Sequence, residues 1–274
     1  MLGSAVFKLF AQSKGFEVVG SVRSTKIPII PINGGTATII PGCNVESHDD
    51  LIKIFSEVKP DIVINCIGVV KQKKESNSPV HTIPINSMLP HRLASLCGLI
   101  GARLIHISTD CVFSGKSGNY NELDQPDAED MYGRTKLLGE VGCKNAITVR
   151  TSIVGHELST SHSLVEWFLS QCECVDGFTN AIFSGLPTVE LAKVLRDFVI
   201  PNPTLTGVYH VSSDPISKYD LLSLIRDVYG KKILIRPNGN LTVNRSLDST
   251  RFRSATVYIP SAWPILVREM YLSK

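Results

Sequence analysis

The sequence lacks the features that mark secreted, membrane-spanning or nucleic-acid-binding proteins. Its seven cysteines are scattered without the spacing of a disulfide framework or a common zinc site, which favours reduced thiols in the cytoplasm. No uninterrupted apolar run approaches the roughly 18 residues of a membrane-spanning helix. The net charge of +3 is too small to indicate nucleic acid or an anionic membrane as a partner. We also identify no acidic cluster that predicts a metal site.

The composition is otherwise that of an ordinary folded protein, with 43% hydrophobic and 19% charged residues in a chain of 274. This length can bury a substantial core. Segments with the patterns of strands and helices alternate up to about residue 150, which is typical of an α/β fold with a doubly wound parallel sheet. We predict a first domain over residues 1–150 and a smaller α/β lobe over residues 151–274, with some segments of the lobe returning to the first domain.

The most informative stretch lies near the middle of the chain. The apolar run at residues 104–107 predicts a buried strand, and Thr109 follows it closely. After a loop rich in glycine, asparagine, aspartate and proline, Tyr132 and Lys136 are separated by four positions, which places them on one face of a helix. An ammonium ion beside a phenol favours the ionised phenol, so we expect the pKa of Tyr132 to fall from about 10 towards neutral pH.

A hydroxyl at the end of a strand could hold a carbonyl oxygen against that phenol. Such a trio can protonate a developing alkoxide while a cofactor delivers hydride. The motifs Ser-Thr-Asp-Cys-Val-Phe-Ser-Gly at residues 108–115 and Tyr-Gly-Arg-Thr-Lys-Leu-Leu-Gly-Glu at residues 132–140 resemble the extended short-chain dehydrogenase/reductases. Within them, the motifs look like the branch typified by dTDP-4-dehydrorhamnose reductase. The resemblance covers nearly the whole chain.

This resemblance implies an NAD(P)-binding Rossmann domain, a substrate-binding lobe and a reductase of a nucleotide-linked 4-keto-6-deoxy sugar in cell-surface polysaccharide synthesis. Tyr132 would supply the proton, Lys136 would lower the pKa of Tyr132 and hold the nicotinamide ribose, and Thr109 would orient the carbonyl. The expected partner is the nucleotide-sugar substrate, and the expected assembly is a monomer or a homodimer.

The resemblance also assigns residues to the cofactor. Gly3 matches the last glycine of a Gly-x-x-Gly-x-x-Gly turn, so the preceding strand and two glycines are expected upstream of residue 1. Arg23 and Ser24, at the end of a predicted strand, favour NADP(H), with NAD(H) as the alternative, because an arginine can accept a 2'-phosphate. Asn86 is expected to support the catalytic lysine. The end of a further strand is expected to lie along the cofactor, at Asn65, Cys66, Ile67 and Gly68.

The expected substrate contacts are Val70, Lys71, Ser108, Thr109, Asp110, Ile153, Asn180 and Arg245. Arg245 suits the nucleotide phosphates, because a guanidinium binds phosphate bidentately. Two positions depart from the family pattern. Cys111 replaces a common tyrosine, and Ile153 stands near the place where dTDP-4-dehydrorhamnose reductases carry a tryptophan. These departures leave the identity of the sugar open.

Two other functions fit the same resemblance. An epimerase or dehydratase that retains NAD usually needs a further acid or base, and Asp110-Cys111 lacks the Asp-Glu pair of dehydratases. A catalytically silent regulatory subunit is the other alternative, since the beta subunit of methionine adenosyltransferase is similar to this reductase family. The incomplete glycine turn favours the silent subunit, whereas the complete trio favours an enzyme.

Three local signals predict the course of the chain outside the motifs. Residues 26–42 contain three prolines and three glycines, which predicts an irregular loop or a flap. Ser47-x-x-Asp50 and Ser217-x-x-Asp220 each precede an apolar pattern of helical period, which predicts a capped helix at each serine.

Overall fold

The computed structural model describes residues 1–30, 37–71, 74–158, 161 and 163–274. The strands in this part of the chain are β1 (Val18–Ser21), β2 (Ala37–Ile40), β3 (Ile62–Asn65), β4 (Arg103–Ile107), β5 (Ala146–Arg150), β6 (Ile153–Val154), β7 (Cys174–Phe178), β8 (Ala181–Phe183), β9 (Leu186–Pro187), β10 (Gly207–His210), β11 (Ile216–Ser217), β12 (Leu234–Asn238) and β13 (Val243–Asn244). The α-helices are α1 (Leu2–Ala11), α2 (His48–Val58), α3 (Pro79–Thr82), α4 (Leu89–Ile100), α5 (Met131–Leu138), α6 (Leu164–Ser170), α7 (Thr188–Val194), α8 (Lys218–Tyr229), α9 (Thr250–Thr256) and α10 (Trp263–Leu272). The π-helical segments are Ile83–Met88 and Leu195–Val199, and the 3₁₀ turns are Lys74–Asn77 and Asp110–Val112. Within the described ranges, no helix combines the length and the apolar character needed to cross a membrane.

The central sheet has the strand order β10-β5-β4-β3, and every neighbouring pair is parallel. Its strands present side chains alternately to two opposite layers of helices. Leu104 and Ala146 pack with α2 and α4 on one side. Ile105 and Ile147 pack with α1, α7 and α10 on the other side. This arrangement confirms the predicted α/β fold with a doubly wound parallel sheet.

The segment that we predicted to be an irregular loop contains strand β2. This strand pairs in parallel with β1, from Val18 beside Ala37 to Ser21 beside Ile40. Three of its four residues are β-branched, which suits a strand, and pairing with β1 outweighs the prolines and glycines nearby. The loop prediction was therefore wrong for residues 37–40. Residues 31–36 lie outside the described part of the chain.

Among the described residues, the β1–β2 pair and the central sheet are separate sheets. Helix α1 contacts the β1–β2 pair and also the hydrophobic core beside the central sheet. The ring of Phe7 lies on β1, where a Cβ added to Gly20 would be 3.0 Å from Phe7 Cδ2. Leu2, Val6 and Phe10 of the same helix lie in the main hydrophobic core. Helix α1 therefore fixes the position of β1 relative to the central sheet.

The C-terminal part of the chain is joined to the central sheet by main-chain hydrogen bonds. Strand β10 pairs with β5 and so belongs to the central sheet. The Tyr120 N–H donates to the Ser246 carbonyl at 2.9 Å, and the Asp248 N–H donates to the Tyr120 carbonyl at 2.7 Å. The loop that contains Tyr120 is thereby bound to a segment near the end of the chain.

Both predicted helix caps are present. The Ser47 hydroxyl accepts a hydrogen bond from the Asp50 N–H at 3.2 Å, which begins α2. The Ser217 hydroxyl accepts from the Asp220 N–H at 3.0 Å, which begins α8. Each bond satisfies an amide that has no partner within its helix. The second cap also fixes the direction of Lys218, the first residue of α8.

We predict that Val257→Gly stabilises the protein. Val257 follows α9 with φ at 56°, a left-handed conformation that is unfavourable for a β-branched residue. Its side chain is 83% exposed, so little packing is lost with it. Relief of the strain exceeds the entropic cost of glycine, and urea unfolding should show a gain of about 0.5–1 kcal/mol.

The matched control is Val80→Gly, which removes a valine that is 76% exposed within the right-handed helix α3. Glycine costs about 1 kcal/mol in a helix and relieves no strain there, so this variant should be destabilised. Equal destabilisation of both variants would contradict the strain assigned to Val257.

Candidate active site

Thr109 is held at the carboxyl end of β4 by the turn that follows the strand. It has an extended backbone and caps the 3₁₀ turn Asp110–Val112, where its hydroxyl oxygen accepts a hydrogen bond from the Cys111 N–H at 3.1 Å. The Asp110 N–H donates to the carbonyl of Thr151 beyond β5, which attaches the turn to the next strand. These two hydrogen bonds, one within the turn and one to Thr151, fix the position of the Thr109 hydroxyl.

Helix α5 begins next to this turn and carries the other two members of the trio. The Asp130 carboxylate caps the helix by accepting from the Gly133 N–H at 2.7 Å. A Cβ at Gly133 would collide with the Cys111 carbonyl oxygen. Glycine at this position therefore lets the first turn of α5 approach the turn at Thr109 closely.

Lys136 and Tyr132 lie one helical turn apart on α5. The Lys136 ammonium donates to the Ile107 carbonyl at 2.7 Å, and burial lowers the pKa of Lys136 to about 8, with Glu140 opposing the change. Tyr132 is half-buried. Burial raises its pKa above the ordinary value, and hydrogen bonding with Thr109 opposes the rise only in part.

The direction of the Tyr132 shift differs from the sequence expectation, because desolvation of the phenol dominates and the lysine is bound to a main-chain carbonyl. Tyr132 is therefore a neutral phenol at physiological pH. A neutral phenol can donate a proton, which suits the reduction of a carbonyl better than the oxidation of an alcohol. The structure thus brings Thr109, Tyr132 and Lys136 together at the carboxyl edge of the central sheet.

A buried ion pair that the sequence analysis missed lies behind the trio. The Arg150 guanidinium donates to both carboxylate oxygens of Glu140 at 2.7 Å, and the side chains are only 6% and 7% exposed. The Ser108 hydroxyl donates to the same carboxylate at 2.8 Å. Arg150 also contacts His210 Nε2 at 3.3 Å. Glu140 follows Lys136 by four positions, but no sequence spacing connects it with Arg150.

The predicted cofactor residues at the end of β3 form a turn with its own hydrogen bonds. Asn65 is buried, and its side chain contacts His106 Nδ1 and accepts from the Ile67 N–H, both at 3.1 Å. Burial raises the pKa of the Cys66 thiol to about 12, which keeps it neutral. Ile67 and Gly68 are exposed. The side chain of Asn65 therefore shapes the turn, while the next residues are open to a ligand.

The other predicted cofactor residues Gly3, Arg23 and Ser24 lie on α1 and after β1. Gly3 is in the first turn of α1, where an added Cβ would lie 3.6 Å from the Cβ of Cys66. Arg23 and Ser24 are exposed in the bend after β1. The Ser24 hydroxyl accepts from the Lys26 N–H at 3.0 Å, so it stabilises that bend.

Asn86 joins the loop after β3 to α5. Its side chain accepts from the Val69 N–H at 2.9 Å and donates to the Val69 carbonyl at 3.3 Å. It also donates to the Thr135 hydroxyl at 3.4 Å. Asn86 thus contacts the neighbour of Lys136 and holds the helix that carries the lysine.

Of the predicted substrate residues, Arg245 lines a cleft of about 340 Å³, whose lining also includes Cys111 and Asp130. Arg245 donates to the carbonyls of Phe113 and Ser114 at 2.8 and 3.0 Å. Lys71 does not line this cleft, but it forms an ion pair at 2.7 Å with Asp130, which does.

The other predicted substrate residues have different surroundings. Val70 is exposed beside Lys71, and Asp110 is buried directly after Thr109. The hydroxyl of Ser108 is bound to Glu140 and so faces the ion pair. Ile153 is half-buried and pairs with Leu186, and Asn180 is exposed and donates to the Gly239 carbonyl at 3.4 Å.

The fold and the assembled trio define a class of protein: the chain has the architecture of the extended short-chain dehydrogenase/reductases. A family model described as the RmlD substrate binding domain matches residues 1–249, and the chain belongs to that family.

Three comparisons place the chain among proteins of different roles. It is 29% identical over 251 residues to the spore coat polysaccharide biosynthesis protein SpsK of Bacillus subtilis, covering 82% of this chain and 84% of that protein. It is 25% identical over 244 residues to methionine adenosyltransferase 2 subunit beta of Danio rerio, covering 84% and 71%. The structure of dTDP-4-dehydrorhamnose reductase from Bacillus anthracis in complex with NADP has the same fold, with a TM-score of 0.77, 18% identity and coverage of 94% and 99%.

We predict that Glu140→Gln strongly destabilises the protein. The substitution keeps the size of the side chain but leaves the buried Arg150 guanidinium without its counter-charge. Loss of one partner of a buried ion pair costs about 3–5 kcal/mol, which urea unfolding would detect.

Glu129→Gln is the matched control, because Glu129 pairs with Lys116 in an exposed ion pair at 3.2 Å. Exposed pairs contribute little, so the control should unfold at nearly the urea concentration of the unmodified protein. A Glu140 variant as stable as this control would show that the buried pair is not a structural requirement.

Proposed function

We propose that the protein is an NADP(H)-dependent reductase of a nucleotide-linked 4-keto-6-deoxy sugar, acting in the synthesis of a cell-surface polysaccharide. The observation that carries the proposal is the placement of Thr109, Tyr132 and Lys136 at the carboxyl edge of the sheet. The similarity to a spore coat polysaccharide biosynthesis protein and to the fold of a dTDP-4-dehydrorhamnose reductase supports the substrate class.

The predicted cofactor residues fit a phosphate-bearing dinucleotide. The first turn of α1 contains no acidic side chain, and it lies against the turn after β3 through Gly3 and Cys66. Amide groups at a helix N-terminus attract phosphate. Arg23 at the end of β1 adds an exposed cation suited to a 2'-phosphate, and Lys136 suits the ribose at the other end. When bound, NADPH would supply hydride to the carbonyl carbon of the sugar.

The side chains of the trio would handle the oxygen of that carbonyl. The Thr109 hydroxyl would donate a hydrogen bond to the oxygen and hold it beside Tyr132. The neutral phenol of Tyr132 would transfer its proton to the oxygen, so that the carbonyl becomes a hydroxyl. The positive charge of Lys136 would stabilise the phenolate that remains. The low dielectric constant of a buried site strengthens the hydrogen bond from Thr109 and the attraction between Lys136 and the phenolate.

The cleft beside the trio suits the diphosphate of a nucleotide sugar. Arg245 lines it, and Lys71 is paired with Asp130, which also lines it. Guanidinium and ammonium groups bind phosphate. The partner of Lys71 is the carboxylate of Asp130, more than a third of which is exposed. A phosphate that carries more charge could therefore replace this partner when the substrate binds.

A silent regulatory subunit is the second candidate function. The observation that favours it is the similarity to methionine adenosyltransferase 2 subunit beta over 84% of this chain. That role needs no catalytic trio, so turnover distinguishes the two candidates. A protein that binds NADPH but reduces no member of a panel of nucleotide-linked 4-keto sugars would favour the regulatory role.

We predict that Tyr132→Phe lowers kcat about 10²- to 10⁴-fold, the usual contribution of a positioned general acid. The Kd for NADPH, measured by fluorescence titration, should stay within a few-fold, because the substitution removes only one oxygen. Tyr271→Phe removes a hydroxyl from a tyrosine that is 40% exposed on α10 and should leave both constants unchanged. Unchanged turnover in the Tyr132 variant would remove the catalytic assignment.

We predict that Arg23→Asp weakens NADPH binding about ten- to a hundredfold, the range of a lost hydrogen bond to a charged group, and weakens NADH binding much less. Arg236→Asp makes the same charge change at an exposed arginine of β12 and should affect neither cofactor. If Arg23→Asp weakens both cofactors equally, this arginine does not bind the 2'-phosphate.

A further inference from the structure

His106 is a fully buried histidine on β4 that the proposed chemistry does not use. In the register of the central sheet it lies between Asn65 of β3 and Thr148 of β5. Its Nδ1 is 3.1 Å from the side-chain nitrogen of Asn65, whereas its Nε2 has no hydrogen-bond partner among the described residues. The Thr148 hydroxyl is bound to the main chain of Val141 instead. In the described part of the chain, the ring therefore makes one polar contact, with Asn65.

The surroundings of Asn65 determine which nitrogen of His106 carries the proton. The Ile67 N–H can only donate, and it donates to the Asn65 Oδ1 at 3.1 Å. The amide nitrogen of Asn65 therefore faces His106, and because that nitrogen can only donate, Nδ1 must accept. A neutral imidazole that accepts at Nδ1 has its hydrogen on Nε2. His106 is thus held in the Nε2–H tautomer.

The surroundings of His106 also keep its ring neutral. Burial lowers the pKa of His106 well below the ordinary value, and the charges of Lys136 and His91 lower it further. A protonated ring would donate at both nitrogens, so Nδ1 would oppose the amide group of Asn65. Because the pKa is lowered, the acceptor at Nδ1 is present at physiological pH.

The contact between His106 and Asn65 fixes the turn that follows β3. The Asn65 amide has one orientation in which both its ends are paired, and in that orientation it holds the N–H of the exposed residue Ile67. Cys66 in the same turn lies against the first turn of α1, where a Cβ added to Gly3 would be 3.6 Å from the Cys66 Cβ. A turn that already has its bound conformation loses less entropy when a ligand binds.

We propose that His106 is a positioning residue for the cofactor, an inference that rests on the proposed function. Its Nδ1 holds the Asn65 amide in the orientation that shapes the turn predicted to lie along NADPH. The next residue of the strand, Ile107, accepts from the Lys136 ammonium at 2.7 Å, so β4 supports two parts of the cofactor site. An apolar side chain would suit the buried layer around Leu104, but it could not orient Asn65.

The test compares His106→Asn with His106→Leu by fluorescence titration of the full chain with NADPH. The two new side chains have the same shape, but only asparagine has an acceptor, its Oδ1, at the position of Nδ1. Each variant leaves one buried amide group unpaired, so urea unfolding should place the two close together. His106→Leu should weaken NADPH binding about three- to tenfold, the range of a lost hydrogen bond, whereas His106→Asn should stay within about twofold of the unmodified protein.

Equal affinity of the two variants for NADPH would overturn the inference, because only one of them keeps the acceptor. A second measurement needs neither variant to be stable: ¹⁵N NMR of the unmodified, histidine-labelled protein without cofactor reports the tautomer of each ring. We expect a buried histidine with a hydrogen on Nε2 and none on Nδ1, and a hydrogen on Nδ1 of His106 would also overturn the inference. If the unmodified protein shows this tautomer but binds no NADPH, the proposed function falls, and the role of His106 towards the cofactor falls with it.

Discussion

The bidentate ion pair between Arg150 and Glu140 is the constraint on which the site depends most. It is buried at the carboxyl edge of the central sheet and joins the end of β5 to the end of α5, while Ser108 attaches the end of β4 to the same carboxylate. A buried pair of this kind tolerates the loss of neither partner, because the remaining charge would be left without compensation. Thr109 follows Ser108, and Lys136 precedes Glu140 by four positions. The positions of Thr109 and Lys136, two of the residues that we propose to be catalytic, are therefore tied to one electrostatic contact.

A second set of contacts fixes the C-terminal part of the chain to this edge. The turn Asp110–Val112 is hydrogen-bonded to Thr151, and the loop beyond it is hydrogen-bonded to Ser246 and Asp248. Arg245, from the same late segment, donates to two carbonyls of that loop. Residues far apart in sequence thus form one wall of the cleft. Arg245 contributes a charged group to this wall.

The local features of the chain could be predicted because they depend on neighbouring residues. A few neighbouring residues determine the helix caps at Ser47 and Ser217 and the strand before Thr109. The trio was located from motifs that resemble those of a known family. Contacts between distant segments could not be predicted in this way. Neither the pairing of Arg150 with Glu140 nor that of Lys71 with Asp130 has a sequence signature, and β2 forms because β1 lies beside it. The Tyr132 pKa expectation failed because spacing does not reveal desolvation.

Transfer of an isotope from the cofactor to the sugar would show whether the protein uses NADPH to reduce the keto group of a nucleotide-linked sugar. The protein would be incubated with NADPH deuterated at C4 of the nicotinamide and with a panel of thymidine- and uridine-linked 4-keto-6-deoxy hexoses, and the products analysed by NMR and mass spectrometry. With at least one member of the panel, we expect one deuterium at C4 of the sugar for each NADPH consumed. A sugar altered without consumption of NADPH, or no reduction of any member, would contradict it.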